Sequence, residues 1–215
     1  MRAVVYSATR NFYDKIRPAI RSMQEATDPD RIYLLAEDDQ LPIDLPGVEI
    51  INVSGQPWFD MNGPNIKTRY SWIVLLRAAM TKIFPDLHLI LSVDADTICR
   101  EDVSDLWELD MDPYYFAGCR EWAHERLYVN AGVLLLNLDK LRDGTDDQLI
   151  RALNKRSLRF PEQDCINETC AGMIRELPPE YNACDFTDHC DRPRIVHFAY
   201  RKEWWNYPEV KAFDH

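Results

Sequence analysis

Glycine is scarce in this chain, at seven of 215 residues, and none falls in Ser7-Ala8-Thr9-Arg10-Asn11, directly after the first apolar run. A glycine-rich loop whose backbone N–H groups cradle phosphates is therefore excluded at the amino end. Basic side chains are in the minority: 25 Lys and Arg against 36 Asp and Glu give a net charge of −11. Nucleic acid and anionic lipid are bound through clustered Lys and Arg and the release of counterions, so neither is an expected partner. No window approaches the roughly 18 consecutive apolar residues of a membrane-spanning helix, so no membrane span is expected. The opening Met1-Arg2-Ala3-Val4-Val5-Tyr6 turns polar too soon for a secretory signal, which predicts a cytoplasmic protein. The six cysteines contain no C-x-x-C pair of the kind structural zinc requires, and without an export signal they are read as buried or free thiols.

What is present fits an ordinary globular core: 46% of residues are apolar and 28% charged. The absence of repeats, low-complexity tracts or linkers predicts one domain over residues 1–215. Ala3-Val4-Val5-Tyr6 reads as a buried strand, the spacing of Ile16, Ile20 and Met23 as a helix stopped at Asp28-Pro29-Asp30, and Arg31 to Ala36 as a second strand. This strand, helix, strand order predicts an α/β fold with a mostly parallel sheet. Further strands are expected at 48–53, 87–93, 114–117, 133–138 and 194–198, with helices at 68–84, 102–107, 146–154 and 163–174.

The strand at 87–93 delivers Asp94-Ala95-Asp96-Thr97 at its carboxyl end, where ligands bind in open α/β sheets. Strand periodicity puts both carboxylates on one side, and two hard oxygen ligands can share one divalent cation while leaving positions for diphosphate oxygens. His197 ends the last predicted strand and is a third candidate ligand. With one imidazole in the set, Mn2+ is favoured, with Mg2+ as the alternative. Arg77, on a largely apolar helix, needs an anionic partner if it is buried.

Several segments together resemble glycosyltransferase family eight, the retaining enzymes of GT-A fold. They are Thr9-Arg10-Asn11-Phe12-Tyr13, Arg77, Asp94-Ala95-Asp96-Thr97, Tyr128 to Asn137, Glu162-Gln163-Asp164-Cys165-Ile166-Asn167 and His197-Phe198-Ala199, in the family's order. The resemblance implies a UDP-hexose donor, an acceptor hydroxyl on a saccharide or protein, and a GT-A, Rossmann-like mixed sheet flanked by helices. It implies that Tyr13 stacks on uracil, that Thr9, Asn11 and Ala95 lie at the nucleoside, and that Arg77, Asn130, Ala131, Gly132 and Glu162 lie along the donor. Gln163 and Asp164 would face the reacting sugar, and Asp94, Asp96 and His197 would hold metal. The closing segment departs from the family: Tyr200 stands for glycine, Glu203 for proline, and Lys202 arrives one residue early, so either Arg201 or Lys202 would neutralise the diphosphate. A nucleotidyltransferase-like enzyme and a catalytically impaired sugar-nucleotide-binding module are the alternatives.

Overall fold

A computed structural model describes residues 1–214. Nine strands form: β1 (Ala3–Ser7), β2 (Arg31–Ala36), β3 (Val48–Asn52), β4 (Leu89–Val93), β5 (Thr97–Cys99), β6 (Phe116–Arg120), β7 (Val129–Asn137), β8 (Ile174–Leu177) and β9 (Ile195–His197). The helices are α1 (Arg17–Thr27), α2 (Met80–Ile83), α3 (Leu138–Leu141), α4 (Thr145–Lys155), α5 (Pro161–Thr169) and α6 (Pro208–Lys211).

Seven strands make one sheet in the order β3-β2-β1-β4-β7-β6-β8. It is mixed and mostly parallel, as expected: β7 runs antiparallel to both β4 and β6, and the other pairings are parallel. β1 and β7 are nearly continuous buried apolar runs, which is what a sheet covered on both faces requires. One cluster, including Leu76, Phe116, Leu136 and Leu149, fills one face, and a second, including Tyr6, Ile20, Leu34 and Leu135, fills the other. α1 starts with Pro18 in its first turn and ends on Asp28 in the left-handed conformation, which explains why the periodicity stops there.

Four expectations shift. The helix expected at 68–84 starts only at Trp72 and is mostly a 3-10 helix, continuing into the short α2. The helix expected at 163–174 ends at Thr169. β7 begins at Val129, so Asn130, Ala131 and Gly132 lie inside the strand; polar Asn130 and glycine hide its start from a pattern that follows apolar runs. β5 and β8 are too short to show a period and were not expected. β5 and β9 form a separate two-stranded ladder, under which Ile98, Phe198, Trp204 and Val210 pack with Trp205 and Tyr207. All six cysteines are free, four of them buried.

Candidate active site

Antiparallel pairing sets the amino end of β7 beside the carboxyl end of β4, with Val93 opposite Val133 and the Asp94 N–H donating to the Gly132 carbonyl at 2.8 Å. The β5–β9 ladder pairs Thr97 with His197, and the Phe198 N–H donates to the Asp96 carbonyl at 2.8 Å. These two pairings bring residues from three remote stretches to one point. His197 Nε2 lies 3.6 Å from Asp94 Oδ2 and 3.4 Å from Asp96 Oδ1. The ligand atoms of the three side chains all lie within 4.8 Å of one another.

The tautomer of His197 follows from a chain of hydrogen bonds that starts at a backbone donor. Gly132 N–H donates to Asn130 Oδ1 (2.9 Å), so that atom is the oxygen. Asn182 presents Nδ2 to the same oxygen at 2.9 Å, which turns Asn182 Oδ1 toward His197 Nδ1 at 2.9 Å. Nδ1 therefore carries a proton, which leaves Nε2 as the nitrogen that faces the two carboxylates. Two carboxylates and an imidazole nitrogen turned on one point fit a divalent cation, which would take the place of the proton that Nε2 otherwise holds between them. Gly132 completes the cradle, because a Cβ there would stand inside the His197 imidazole. The same field acts on protons: burial pushes the imidazole pKa down, but Asp96 and Asp94 outweigh it and hold it well above its ordinary value. Burial likewise raises Asp96, and His197 more than reverses that.

Arg77 is buried behind this cluster. It donates to Ser92 Oγ at 3.3 Å, to Glu162 Oε1 at 3.0 Å and to Asp94. Burial lowers its pKa, and Asp94 and Glu162 together more than compensate. Burial raises that of Glu162, with Arg77 opposing. Each guanidinium nitrogen makes one of these bonds, so Arg77 orients Asp94 and Glu162, and it is not among the residues that line the cavity above them.

A cavity of about 570 Å³ opens over the cluster. Asn130, Ala131, Gly132, Glu162 and Gln163 line it. The amide of Gln163 is locked: Oε1 accepts from Ala131 N–H (2.8 Å) and Nε2 donates to Glu121 Oε1 (3.0 Å) and Tyr128 Oη (3.3 Å). Asp164 is absent from the lining, since one oxygen accepts from Tyr128 Oη at 2.5 Å and the other from Phe160 N–H at 2.8 Å. In this arrangement it ties the start of α5 to Tyr128.

Thr9, Asn11, Ala95, Arg201 and Lys202 also fall outside the lining. Arg201 pairs with Asp185 at 2.7 Å, and Lys202 is exposed in the turn beyond. Tyr13 is 3% exposed, and its hydroxyl accepts from Glu37 N–H (2.8 Å) and donates to Asp38 (3.1 Å). Its ring packs in the core, and the neighbouring exposed aromatic is Phe12. Tyr200 adopts φ 60, so the closing segment keeps a glycine-like backbone with tyrosine in place. Sequence reasoning missed Glu121 and Asn182. Neither sits in a recognisable motif, and only the hydrogen bonds to Asn130, Gln163 and His197 reveal them.

The profile of the family described as "Glycosyl transferase family 8" matches residues 46–207. Glycosyltransferase GlyE of Streptococcus pneumoniae serotype 4 is 27% identical over 195 residues, covering 84% of this chain and 47% of that protein. The lipopolysaccharide 1,2-glucosyltransferase of Escherichia coli K12 is 29% identical over 163 residues, covering 59% and 48%. The chain spans roughly half the length of the curated relatives it matches. Among solved structures, the galactosyltransferase LgtC, in complex with donor and acceptor sugar analogs, superposes with a TM-score of 0.74 at 17% identity, covering 99% of this chain and 95% of that one. That likeness shows the GT-A fold.

Proposed function

The chain belongs to glycosyl transferase family 8, and from that premise we propose that it moves a hexose, glucose or galactose, from a UDP-sugar to an acceptor hydroxyl with retention of anomeric configuration. The observation that carries this reading is the convergence of Asp94, Asp96 and His197, with Nε2 turned toward both carboxylates, in a cavity of sugar-nucleotide size. A divalent cation held by these three residues, Mn2+ in preference to Mg2+ because imidazole is one ligand, would stabilise negative charge on the departing diphosphate.

The protein's own side chains would do the rest. Arg77 holds Asp94 and Glu162 in place from below. Phe12, with Thr9 and Asn11 beside it, offers the exposed aromatic face that a uracil needs. Lys202 meets the diphosphate when the closing segment folds over, since Arg201 already has Asp185. Asn130, Gly132 and Gln163 shape the hexose subsite. In transfer, the acceptor oxygen bonds to the anomeric carbon and the bond from that carbon to the diphosphate oxygen breaks. UDP keeps the electron pair and takes the hydroxyl proton. Attack on the face that UDP leaves is supported by Gln163, a neutral amide held by three hydrogen bonds, and by Asp164, which is tied to Tyr128 and Phe160 outside the cavity lining; a glycosyl adduct trapped on Glu162 would overturn this reading.

The test is to incubate UDP-glucose and UDP-galactose with the protein, with Mn2+ or with a chelator, and to read products by NMR. Free hexose released first as the donor's own anomer, together with UDP and only with metal, is expected. Hexose phosphate with UMP would instead favour nucleotidyl chemistry, and binding without products would favour a non-catalytic module.

A further inference from the structure

Opposite in character to the acidic cluster, the same cavity carries an aromatic wall bearing two arginines, Arg69 and Arg159. The Arg69 guanidinium lies 4.8 Å from the Tyr70 ring centroid, 5.5 Å from that of Phe160 and 5.3 Å from that of Tyr200. Arg159 lies 5.2 Å from the Phe160 centroid. Tyr70 and Tyr200 are joined through their hydroxyls, and Phe186 packs edge-on to Tyr200 at 5.3 Å. Neither arginine has a carboxylate within ion-pair distance among the described residues, although the chain has eleven more acids than bases. The other arginines near the site do have acidic partners: Arg77 with Asp94 and Glu162, and Arg201 with Asp185.

Two features set this wall apart from a merely solvated surface. Arg69 Nη2 donates to the Tyr70 and Tyr200 hydroxyls, which pins this guanidinium to the wall, and the remaining N–H groups of the two ring-packed arginines are left for a carboxylate or phosphate. The wall also depends on Tyr200, a bulky residue held at a positive φ of 60, where a side chain costs on the order of 1 kcal/mol or more. Such strain is retained when the side chain is used.

Resting on the reading above, we infer that the acceptor is an anionic sugar whose carboxylate or phosphate is gripped by Arg69 and Arg159 while its ring lies against Tyr70, Phe160 and Tyr200. The anionic group takes no part in the bond exchange and leaves with the product unchanged. It holds the nucleophilic hydroxyl toward the acidic end of the cavity, where the donor's anomeric carbon would sit.

The experiment compares binding of methyl β-glucuronide, glucose 6-phosphate and neutral methyl β-glucoside to the full chain, by calorimetry at low ionic strength with UDP and Mn2+ present. An anionic probe is expected to bind about tenfold more tightly than the neutral one, the gain of about 1.4 kcal/mol typical of charge-assisted bonds. The stronger of the two anionic probes identifies carboxylate or phosphate as the group read. In R69Q/R159Q that preference disappears, whereas R69K/R159K, which keeps charge and loses the paired grip, retains part of it. Thermal melts establish that both variants are folded. Equal binding of neutral and anionic probes, or an unchanged preference in R69Q/R159Q, overturns the inference. So does a loss of UDP affinity in that variant, which would assign the arginines to the donor's diphosphate. Binding of UDP with Mn2+ to the unmodified protein is measured separately, so that its failure counts against the donor reading and leaves the anionic-probe result to stand or fall alone.

Discussion

Asn182 belongs to none of the sequence motifs, yet its side-chain oxygen fixes a proton on His197 Nδ1. In N182A, Nδ1 loses its acceptor and either nitrogen can carry the proton, so Mn2+ affinity measured by calorimetry should fall by about 10- to 100-fold with the fold intact. A more modest effect than twofold would show that Asn182 does not govern the tautomer. Adjacent aromatic residues should likewise separate cleanly. F12A should weaken UDP binding by about 1–3 kcal/mol if its ring carries the base. Y13F should leave UDP affinity unchanged and lower stability by about 1 kcal/mol, because the buried Glu37 N–H loses its acceptor. Unchanged UDP affinity in F12A together with weakened affinity in Y13A, both read by titration with denaturant melts showing the variants folded, would return the stacking role to Tyr13.

Between elements, the acidic start of α4 is fastened to α2 by Asp146, which is 2% exposed and accepts from Lys82 at 2.8 Å and from Thr81 at 2.5 Å. Burial raises the Asp146 pKa, but Lys82, Thr81 and the Asp147 N–H outweigh it and leave the carboxyl below its ordinary value. A carboxyl lowered in the folded state stabilises the protein above its unfolded pKa of about 3.9, and that stability is lost as pH falls through the lower folded value. D146N should therefore cost about 2 kcal/mol at neutral pH, less than a fully buried pair because Lys82 is a third exposed and keeps Asp147. In thermal melts this is a fall of about 4–8 °C at pH 7. The difference from the unmodified protein should shrink in acid; a pH-independent difference would mean that the charge is not what Asp146 contributes.

Across the whole molecule, the cluster of Asp94, Asp96 and His197 ties the carboxyl end of β4 to β9 from near the other end of the chain, so a ligand bridging them should stabilise the fold as one unit. With UDP and Mn2+ at about 100 times Kd, mass action predicts about 2.7 kcal/mol, or a rise in Tm of about 5–10 °C for a domain of this size. UDP with a chelator should give little of it, and an equal shift without metal would detach the nucleotide from the cluster. At this scale it is also plain which features were legible beforehand. The amino-terminal strand, helix, strand order, the parallel sheet and the placing of Asp94 and Asp96 at a strand end follow from local periodicity, which the chain carries residue by residue. The same holds for the free thiols and for the absence, among the described residues, of any helix long and apolar enough to cross a membrane. What only the tertiary structure decided is which candidates meet. Pairing of β5 with β9 joins residues about a hundred positions apart, burial keeps Tyr13 and Arg77 out of the cavity lining while Phe12 is exposed, and hydrogen bonds to Tyr128 and Phe160 hold Asp164 outside it. Partnerships of this kind depend on long-range register and on which hydrogen bonds a buried side chain has already made, and neither is encoded in any short stretch of sequence.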